Sequence, residues 1–216
     1  MIVSFSGIDG SGKTTQINNL INWCESNNVR YIKKWSKARG TPGVEFIKSL
    51  VRRDKNLGQE EKLEYRERVF NSGWKKSILY CLSMLDLCWY WGVYFRILKS
   101  KYDLVILDRY LWDTFVEVST EFCIENLEKH FLWKIVQFCA PIPAVSILLT
   151  IPAEESLRRD LLKGEITTDA LEFKQSKIDI YRTLQSQNKW NTVINSMRSV
   201  DETFKQIISR VNSIAK

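Results

Sequence analysis

Eight residues near the start of the chain, Gly7 to Thr14, read G-I-D-G-S-G-K-T and match the pattern G-x-x-x-x-G-K-[ST] without a mismatch. Glycines allow such a loop to wrap so closely that backbone N–H groups point at phosphate oxygens. In this pattern Lys13 reaches the β- and γ-phosphates, and the Thr14 hydroxyl binds Mg²⁺. The candidate nucleotide-binding residues are Gly7, Asp9, Gly10, Ser11, Gly12, Lys13, Thr14 and Thr15.

A second group of reactive residues begins where four apolar residues, Leu104 to Leu107, end in Asp108. In phosphate-loop enzymes a carboxylate at the end of such a strand orients Mg²⁺, directly or through water, although Asp is also common in plain turns. Arg109 follows, and it either clamps an acceptor phosphate in bidentate fashion or forms a surface salt bridge. Tyr110 is either a packing aromatic or a wall beside the substrate. Thr14 and Asp108 are therefore the candidate metal ligands.

Two further places carry charge that suits an acceptor. Asp9, within the loop, is too negative to bind phosphate but could accept a hydrogen bond from an acceptor hydroxyl; the alternative is a solvent-facing loop residue. The segment Lys37 to Gly43 contains Arg39 and follows a predicted strand. It is equally well explained as an acceptor anion site or as a plain turn.

Three cations, Arg158, Arg159 and Lys163, precede a Gly-containing segment that is the best candidate for a mobile lid. Near a phosphate donor, such cations neutralise the charge that spreads over a transferred phosphoryl group. The alternative is a solvated helix face. The sequence does not decide whether Arg158 or Arg159 faces the site.

Alternating strands and helices predict the framework that positions these residues. Apolar, β-prone runs predict strands at residues 2–6, 29–35, 103–108, 144–150 and 191–195. Helical spacing predicts helices near residues 13–27, 43–53, 60–99, 127–139, 153–163, 169–188 and 200–214. This order is typical of a doubly wound α/β fold of the phosphate-loop NTPase type, with a mostly five-stranded parallel sheet flanked by helices. We expect a single domain over residues 1–216, with a short lid at residues 159–169.

The composition limits the classes of partner. The net charge is +7, but the basic pairs are dispersed, so we favour a pocket for phosphorylated small molecules and expect no nucleic acid partner. Residues 78–95 carry one charge, Asp86, near their centre, which predicts a buried helix rather than a membrane span. Five cysteines without a C-x-x-C pair predict reduced thiols, and the phosphate loop so near the start leaves no room for a signal peptide. We therefore expect a cytoplasmic protein.

The segment from Phe5 to Gln16, F-S-G-I-D-G-S-G-K-T-T-Q, resembles the first strand and loop of the thymidylate kinase family, F-x-G-I-D-G-S-G-K-T-T-Q. Asp108-Arg109-Tyr110 matches that family's D-R-[YH] motif. Glu154 to Glu165 is loosely similar to its P-E-x-x-x-x-R-x-x-x-R-G-E lid, and Phe173 to Tyr181 to its F-x-x-x-x-x-x-x-Y helix. The resemblance spans essentially the whole chain.

This resemblance implies transfer of the γ-phosphoryl group of ATP, with Mg²⁺, to a nucleoside monophosphate, by default dTMP. It implies that Asp9 contacts the acceptor sugar, that Arg109 holds the acceptor phosphate and that Tyr110 shapes the sugar pocket. The residues expected to act in catalysis are Lys13, Arg109, Arg159 and Lys163. The residues expected to bind the acceptor are Asp9, Arg39, Arg109 and Tyr110.

Departures from the family pattern fall on the acceptor side. Ser36 to Pro42 matches the family's R-E-P-G-G-T-P turn only weakly, with Arg39 as a substitute for its first arginine. Leu87 stands where the family has a base-contacting arginine, and Val118 where it has the glutamine of A-Y-Q. Because leucine cannot donate a hydrogen bond to a thymine carbonyl, discrimination by the base pocket should differ.

Two alternatives to a dTMP kinase remain open. One is a kinase of the same fold that phosphorylates a different small molecule, and the other is a nucleotide-binding module without transfer activity. The resemblance also suggests a homodimer, for which the apolar helix around residues 78–95 is either the interface or simply core.

Overall fold

A computed structural model describes residues 1–36, 73–122, 126–162 and 171–215 of the chain. The contacts between residues group the chain into two compact units. The first, here the sheet unit, comprises Met1–Ser36, Ile97–Val116 and Ile142–Lys216. The second, here the helical unit, comprises Lys37–Arg96 and Glu117–Pro141.

The sheet unit contains five parallel strands in the order β2-β3-β1-β4-β5. Their bounds are Ile2–Ser6 for β1, Tyr31–Trp35 for β2, Leu104–Asp108 for β3, Val145–Thr150 for β4 and Thr192–Asn195 for β5. The predicted α/β fold with a five-stranded parallel sheet is confirmed, and each predicted strand lies within two residues of an observed one.

The three inner strands are mostly buried, whereas most residues of the two edge strands are half-buried or exposed. Continuous apolar runs such as Val105–Leu107 are what a parallel sheet needs when both of its faces are covered. The central position of β1 matters most for the site. It pairs with β3 through Phe5 and Asp108 and with β4 through Ser6 and Leu148, so the polar residues that follow these strands emerge side by side.

The described helices are α1 (Lys13–Ser26), α2 (Gly73–Trp89), α3 (Phe95–Lys101), α4 (Leu111–Phe122), α5 (Phe131–Cys139), α6 (Ala153–Leu162), α7 (Leu171–Ser186) and α8 (Val200–Ala215). A π-helical turn, Tyr90–Tyr94, joins α2 to α3, and a 3₁₀ turn, Leu127–Lys129, precedes α5. The predicted helix at 43–53, and the part of the predicted helix 60–99 before residue 73, lie outside the described residues.

Helix α4 was not predicted from the sequence. Its twelve residues include the β-branched Thr114, Val116, Val118 and Thr120, which lower intrinsic helix propensity. Packing decides the outcome, because Thr114, Val116 and Val118 are buried in the folded chain. Tertiary context therefore overrides local preference in the segment that follows the Asp-Arg-Tyr motif.

In the helical unit, α2 has a buried and an exposed face. Met84 and Leu87 are buried, whereas Leu85 and Trp89 are 59% and 55% exposed. The expectation of a helix is confirmed, but the expectation that the helix is buried holds for one face only. Among the residues that the structure describes, no helix is both long and apolar enough to cross a membrane.

Candidate functional site

The segment Gly7 to Thr14 forms the loop between β1 and α1 together with the first two residues of α1. Its backbone requires glycine at two positions where a side chain would also meet other atoms. Gly7 has φ +138°, and a Cβ there would lie 2.5 Å from the carbonyl oxygen of Leu149. Gly10 has φ +76°, and its Cβ would lie 2.9 Å from the carbonyl oxygen of Ser156. The glycines therefore permit both the left-handed turns and the close contact with β4 and α6.

The loop ends at the N-terminus of α1, which begins at Lys13. Within the described residues, no side chain caps this end of the helix, and the first turn contains no acidic residue. Backbone N–H groups at such an end lack intrahelical partners and attract anions. Thr14 and Thr15, in this first turn, are exposed, so their hydroxyls are accessible to a ligand.

Lys13 is buried and folded back onto the loop. Its Nζ donates to the carbonyl oxygens of Gly7 at 2.9 Å and Ile8 at 2.7 Å, and to Ser11 Oγ at 3.4 Å. Burial, together with the positive charge of Arg109, lowers the pKa of Lys13 to about 7, although nearby carboxylates oppose that shift. A phosphate group would supply the missing negative charge, so the geometry favours an anion at this ammonium group.

The motif Asp108-Arg109-Tyr110 begins at the end of β3. Asp108 is half-buried, and its negative charge acts on both Lys13 and Arg109. Arg109 has φ +70°, a left-handed conformation that is uncommon for residues other than glycine and recurs at functional sites. Its backbone N–H donates to the carbonyl oxygen of Phe5 at 2.9 Å, which ties this turn to β1. Tyr110 is buried.

The guanidinium of Arg109 reaches the phosphate loop. Nη1 donates to the carbonyl oxygen of Gly7 at 3.0 Å, and Nη2 forms a short ion pair with the carboxylate of Asp9. Burial disfavours its charge, but the nearby carboxylates of Asp9 and Asp113 outweigh burial and hold the pKa of Arg109 above its ordinary value. Arg109 is therefore a permanent cation beside Lys13.

Two buried residues that organise this site were not assigned a role from the sequence: Asp113, in the first turn of α4, and Tyr181, on α7. One carboxylate oxygen of Asp113 accepts from the Gly7 N–H at 3.2 Å and the Tyr181 hydroxyl at 2.6 Å. The other accepts from Ser6 Oγ at 2.5 Å and the Tyr110 N–H at 3.1 Å. Asp113 thus connects the phosphate loop with the Asp-Arg-Tyr turn and with α7.

A sequence signal for Asp113 existed but was weak. It lies four residues after Arg109, which is the spacing of an ion pair along a helix, and the two groups are 3.7 Å apart. The signal was missed because α4 itself was not predicted. Tyr181 closes the predicted motif that begins at Phe173. Its pKa is raised well above the ordinary value by burial and by Asp113, so it acts as a neutral donor.

The structure distinguishes the two arginines of α6. Arg159 donates from Nη1 to the carbonyl oxygen of Gly10 at 3.3 Å and from Nη2 to that of Ser196 at 3.2 Å. Arg158 is mostly exposed and pairs with Glu155 at 2.6 Å. Arg159 therefore contacts the phosphate loop, and Arg158 forms a surface ion pair.

The structure brings together the loop residues, Asp108, Arg109, Tyr110 and Arg159. Arg39 and Lys163 lie outside the described residues, as do positions 163–169 of the predicted lid. Leu87 and Val118, the departures on the acceptor side, belong to the helical unit, and both are fully buried apolar residues.

Comparisons with known proteins point to one family. A family model described as thymidylate kinase matches residues 5–207. A probable thymidylate kinase of Pyrococcus abyssi is 30% identical over 216 residues, which covers 97% of this chain and 94% of the relative. A thymidylate kinase of Fervidobacterium nodosum is 25% identical over 220 residues and covers 99% of both chains. One of Mycoplasmopsis agalactiae is 26% identical, covering 98% of this chain and 94% of the relative.

Proposed function

Because this chain belongs to the thymidylate kinase family, and is thus an ATP-dependent nucleoside-monophosphate kinase, we propose that it phosphorylates dTMP with the help of Mg²⁺. One observation carries the proposal. The Lys13 Nζ and the Arg109 Nη1 both contact the Gly7 carbonyl oxygen, at 2.9 and 3.0 Å. Phosphoryl transfer between two polyanions requires cations where donor and acceptor phosphates meet.

On the donor side, the loop from Gly7 to Thr15 binds the phosphates of ATP. The uncapped N–H groups of α1 cradle them, and the Lys13 ammonium moves from the loop carbonyls to the β- and γ-phosphates. Thr14 and Asp108 fit Mg²⁺, since an exposed hydroxyl and a half-buried carboxylate are the oxygen ligands that this ion prefers. When bound, Mg²⁺ neutralises negative charge on the triphosphate.

On the acceptor side, Arg109 exchanges its ion pair with Asp9 for the phosphate of dTMP. This exchange frees the Asp9 carboxylate to accept a hydrogen bond from the acceptor sugar. Tyr110 forms the wall beside that sugar, and Arg39 contributes a further cation. Arg159 and Lys163 serve as lid cations; the contact between Arg159 and the Gly10 carbonyl supports this role for Arg159.

The acceptor attacks through an oxygen that is already anionic, so no strong general base is needed. The rate enhancement then comes from alignment of the two phosphates and from neutralisation of the charge between them. The rigid hydrogen bonds around Arg109 and Asp113 serve this purpose, because the cation is held before the substrate arrives.

A separate observation supports a second class of acceptor. Leu87 and Val118 are buried apolar residues where the family pattern has polar side chains that read thymine. A pocket without those donors would discriminate less strongly for thymine. The alternative is therefore a kinase of the same fold that uses a different small-molecule acceptor, phosphorylated or hydroxylated.

An ADP-release assay over a panel of acceptors separates these possibilities. We expect turnover with dTMP, dependent on Mg²⁺, and none with Lys13→Ala, whose circular dichroism spectrum should show that it is still folded. Efficient turnover of another acceptor, with dTMP a poor substrate, favours the second candidate. Tight ATP binding without transfer to any acceptor would instead support a non-catalytic module.

The proposal extends to assembly and location. Five apolar residues repeat along the exposed face of α2 and the π turn: Ile78, Leu82, Leu85, Trp89 and Val93. Their spacing of three or four residues is typical of helices that pack against each other, so we assign this face to a homodimer of a cytoplasmic enzyme. Light scattering should give twice the mass of the chain for the wild type and a smaller mass for Leu85→Arg. A monomeric wild type contradicts the assignment.

A further inference from the structure

A buried ion pair lies beside the phosphate loop and has no part in the chemistry described above. Lys174, on α7, is 3% exposed and forms a short ion pair with Asp160, on α6, which is fully buried. Neither residue was singled out in the sequence. Together with Ser156, also fully buried, they form what we call the Lys174 cluster.

This cluster is connected to the loop through one hydroxyl group. The Lys174 Nζ donates to Ser156 Oγ at 3.1 Å, and Ser156 Oγ donates to the carbonyl oxygen of Asp9 at 2.7 Å. Because an ammonium group has donors only, it occupies a lone pair of the Ser156 oxygen. The single hydroxyl proton of Ser156 is then directed at Asp9. Lys174 thereby sets the orientation of the hydrogen bond that holds the loop.

The loop also rests directly on the cluster. A Cβ at Gly10 would lie 2.9 Å from the Ser156 carbonyl oxygen and 3.1 Å from Asp160 Oδ1. The loop backbone from Asp9 to Gly10 is therefore held by a hydrogen bond and by close packing on the same group of residues.

Stability alone gives a poor reason for a buried ion pair. Taking both charges out of water offsets much of their attraction, and apolar residues of similar volume are often as stable or more stable in such places. Here the imbalance is larger, because Asp160 Oδ1 is buried without a hydrogen-bond partner among the described residues. A role beyond stability would explain why charges occupy this position.

We propose that Lys174 is a positioning residue: paired with Asp160, it orients the Ser156 hydroxyl and so holds the Asp9–Gly10 backbone in the geometry that presents Asp9 to Arg109 and to the acceptor. The proposal rests on the function proposed above. It predicts that the pair can be replaced without loss of stability but not without loss of catalytic efficiency.

The test replaces both charges, because Lys174→Met alone would leave Asp160 buried and unpaired. The variant Asp160→Leu/Lys174→Met, here the apolar-pair variant, should unfold at or above the wild-type temperature. Its kcat/KM for the acceptor, at saturating ATP, should fall about tenfold, the size expected when one orienting hydrogen bond is lost. The matched control is Arg182→Met, which removes an exposed ion pair with Asp179 on the same helix and should leave kcat/KM unchanged.

Action through Ser156 is tested by a double-mutant cycle. Ser156→Ala should reduce kcat/KM by a similar factor, and its combination with the apolar pair should cause little further loss. Fully additive losses, or a folded apolar-pair variant with wild-type kcat/KM, would overturn the proposal.

Hydrogen exchange tests the role of Lys174 without any acceptor. The peptide containing Asp9 and Gly10 should exchange faster in Ser156→Ala and in the apolar-pair variant, while α6 and α7 keep their protection. Faster exchange confined to the helices would indicate a purely structural pair and contradict the proposal. If dTMP is not phosphorylated by the wild type, the dTMP assignment fails, but this measurement still decides the role of Lys174.

Discussion

Two buried carboxylates lie beside glycines of the phosphate loop, and their oxygens differ in how many hydrogen bonds they accept. At Gly7, both oxygens of Asp113 accept hydrogen bonds, each from one backbone N–H and one hydroxyl. At Gly10, one oxygen of Asp160 pairs with Lys174, and the other is without a hydrogen-bond partner among the described residues. A carboxylate that accepts from fixed backbone donors cannot be replaced by a neutral group without loss of stability, whereas an ion pair whose carboxylate accepts from no backbone donor can be replaced by apolar residues.

Asp113→Asn should disrupt the hydrogen bonds around Asp113 and cause the largest loss of activity among these predictions. In either orientation the amide NH₂ group faces a backbone N–H, that of Gly7 or that of Tyr110, and neither backbone group can turn away. We expect kcat/KM to fall about 100-fold, the cost of slight misplacement of a reacting group, and the unfolding temperature to fall as well. Steady-state kinetics and calorimetry measure both. A folded variant with full activity would show that Asp113 does not need to be an anion.

Gly10→Ala should disturb the packing of the loop on Ser156 and Asp160, and Gly12→Ala is its matched control. Both glycines have positive φ, +76° and +85°, so both variants incur the same backbone strain. Only at Gly10 would the new Cβ meet other atoms; at Gly12 nothing lies within 4 Å. We expect Gly10→Ala to lower the free energy of unfolding by about 1–3 kcal/mol more than the control does. Equal values in denaturant titrations would mean that the loop does not rest closely on the Lys174 cluster.

The pH dependence of ATP binding should further distinguish the role of Asp113 from that of Asp160. Burial and Arg109 lower the pKa of Lys13 to about 7, so above pH 7 the lysine is neutral, and a bound triphosphate restores its charge. Calorimetry in buffers of different ionisation enthalpy should show uptake of roughly one proton at pH 8 and almost none at pH 6. Because the charge of Asp113 supports that of Lys13, Asp113→Asn should shift this uptake to lower pH. The apolar-pair variant should leave it unchanged.

The same shift has a consequence for stability without ligand. The pKa of Lys13 is depressed in the folded chain, so between about pH 7 and 10 the unfolded chain binds one more proton and the contribution of Lys13 to stability rises with pH. Unfolding of the wild type and of Lys13→Met, compared from pH 6 to 9, isolates this contribution. If the difference in free energy of unfolding between the wild type and Lys13→Met stayed constant over this range, the depressed pKa of Lys13 would be contradicted.

Tyr181→Phe should have the smallest effect. Asp113 loses one hydroxyl donor but keeps two backbone N–H groups and Ser6, so its charge remains stabilised. We expect kcat/KM to change by less than about tenfold and the free energy of unfolding by about 1 kcal/mol. If this change were as damaging as Asp113→Asn, the hydroxyl rather than the backbone contacts would be what the carboxylate requires.

The local pattern of the chain was sufficient to predict much of the fold. The apolar runs at Leu104–Leu107 and Val145–Leu149 identified inner strands, because a strand buried on both faces cannot alternate. The phosphate loop and the Asp108–Tyr110 motif were recognisable as well, since each consists of contiguous residues. Helix α4 was missed because its β-branched residues have a low helix propensity, whereas packing in the folded chain imposes a helix.

By itself, then, the sequence determined the order of strands and helices, the phosphate loop and the charged residues that follow β1 and β3, all of which depend on near neighbours along the chain. Only the tertiary structure decided which distant residues share the site. Tyr181 is 68 residues from Asp113, Ser156 is 147 from Asp9, and Lys174 is 14 from Asp160. Such pairs arise from how helices pack on a sheet, where a buried polar group must find a partner whatever its distance in sequence.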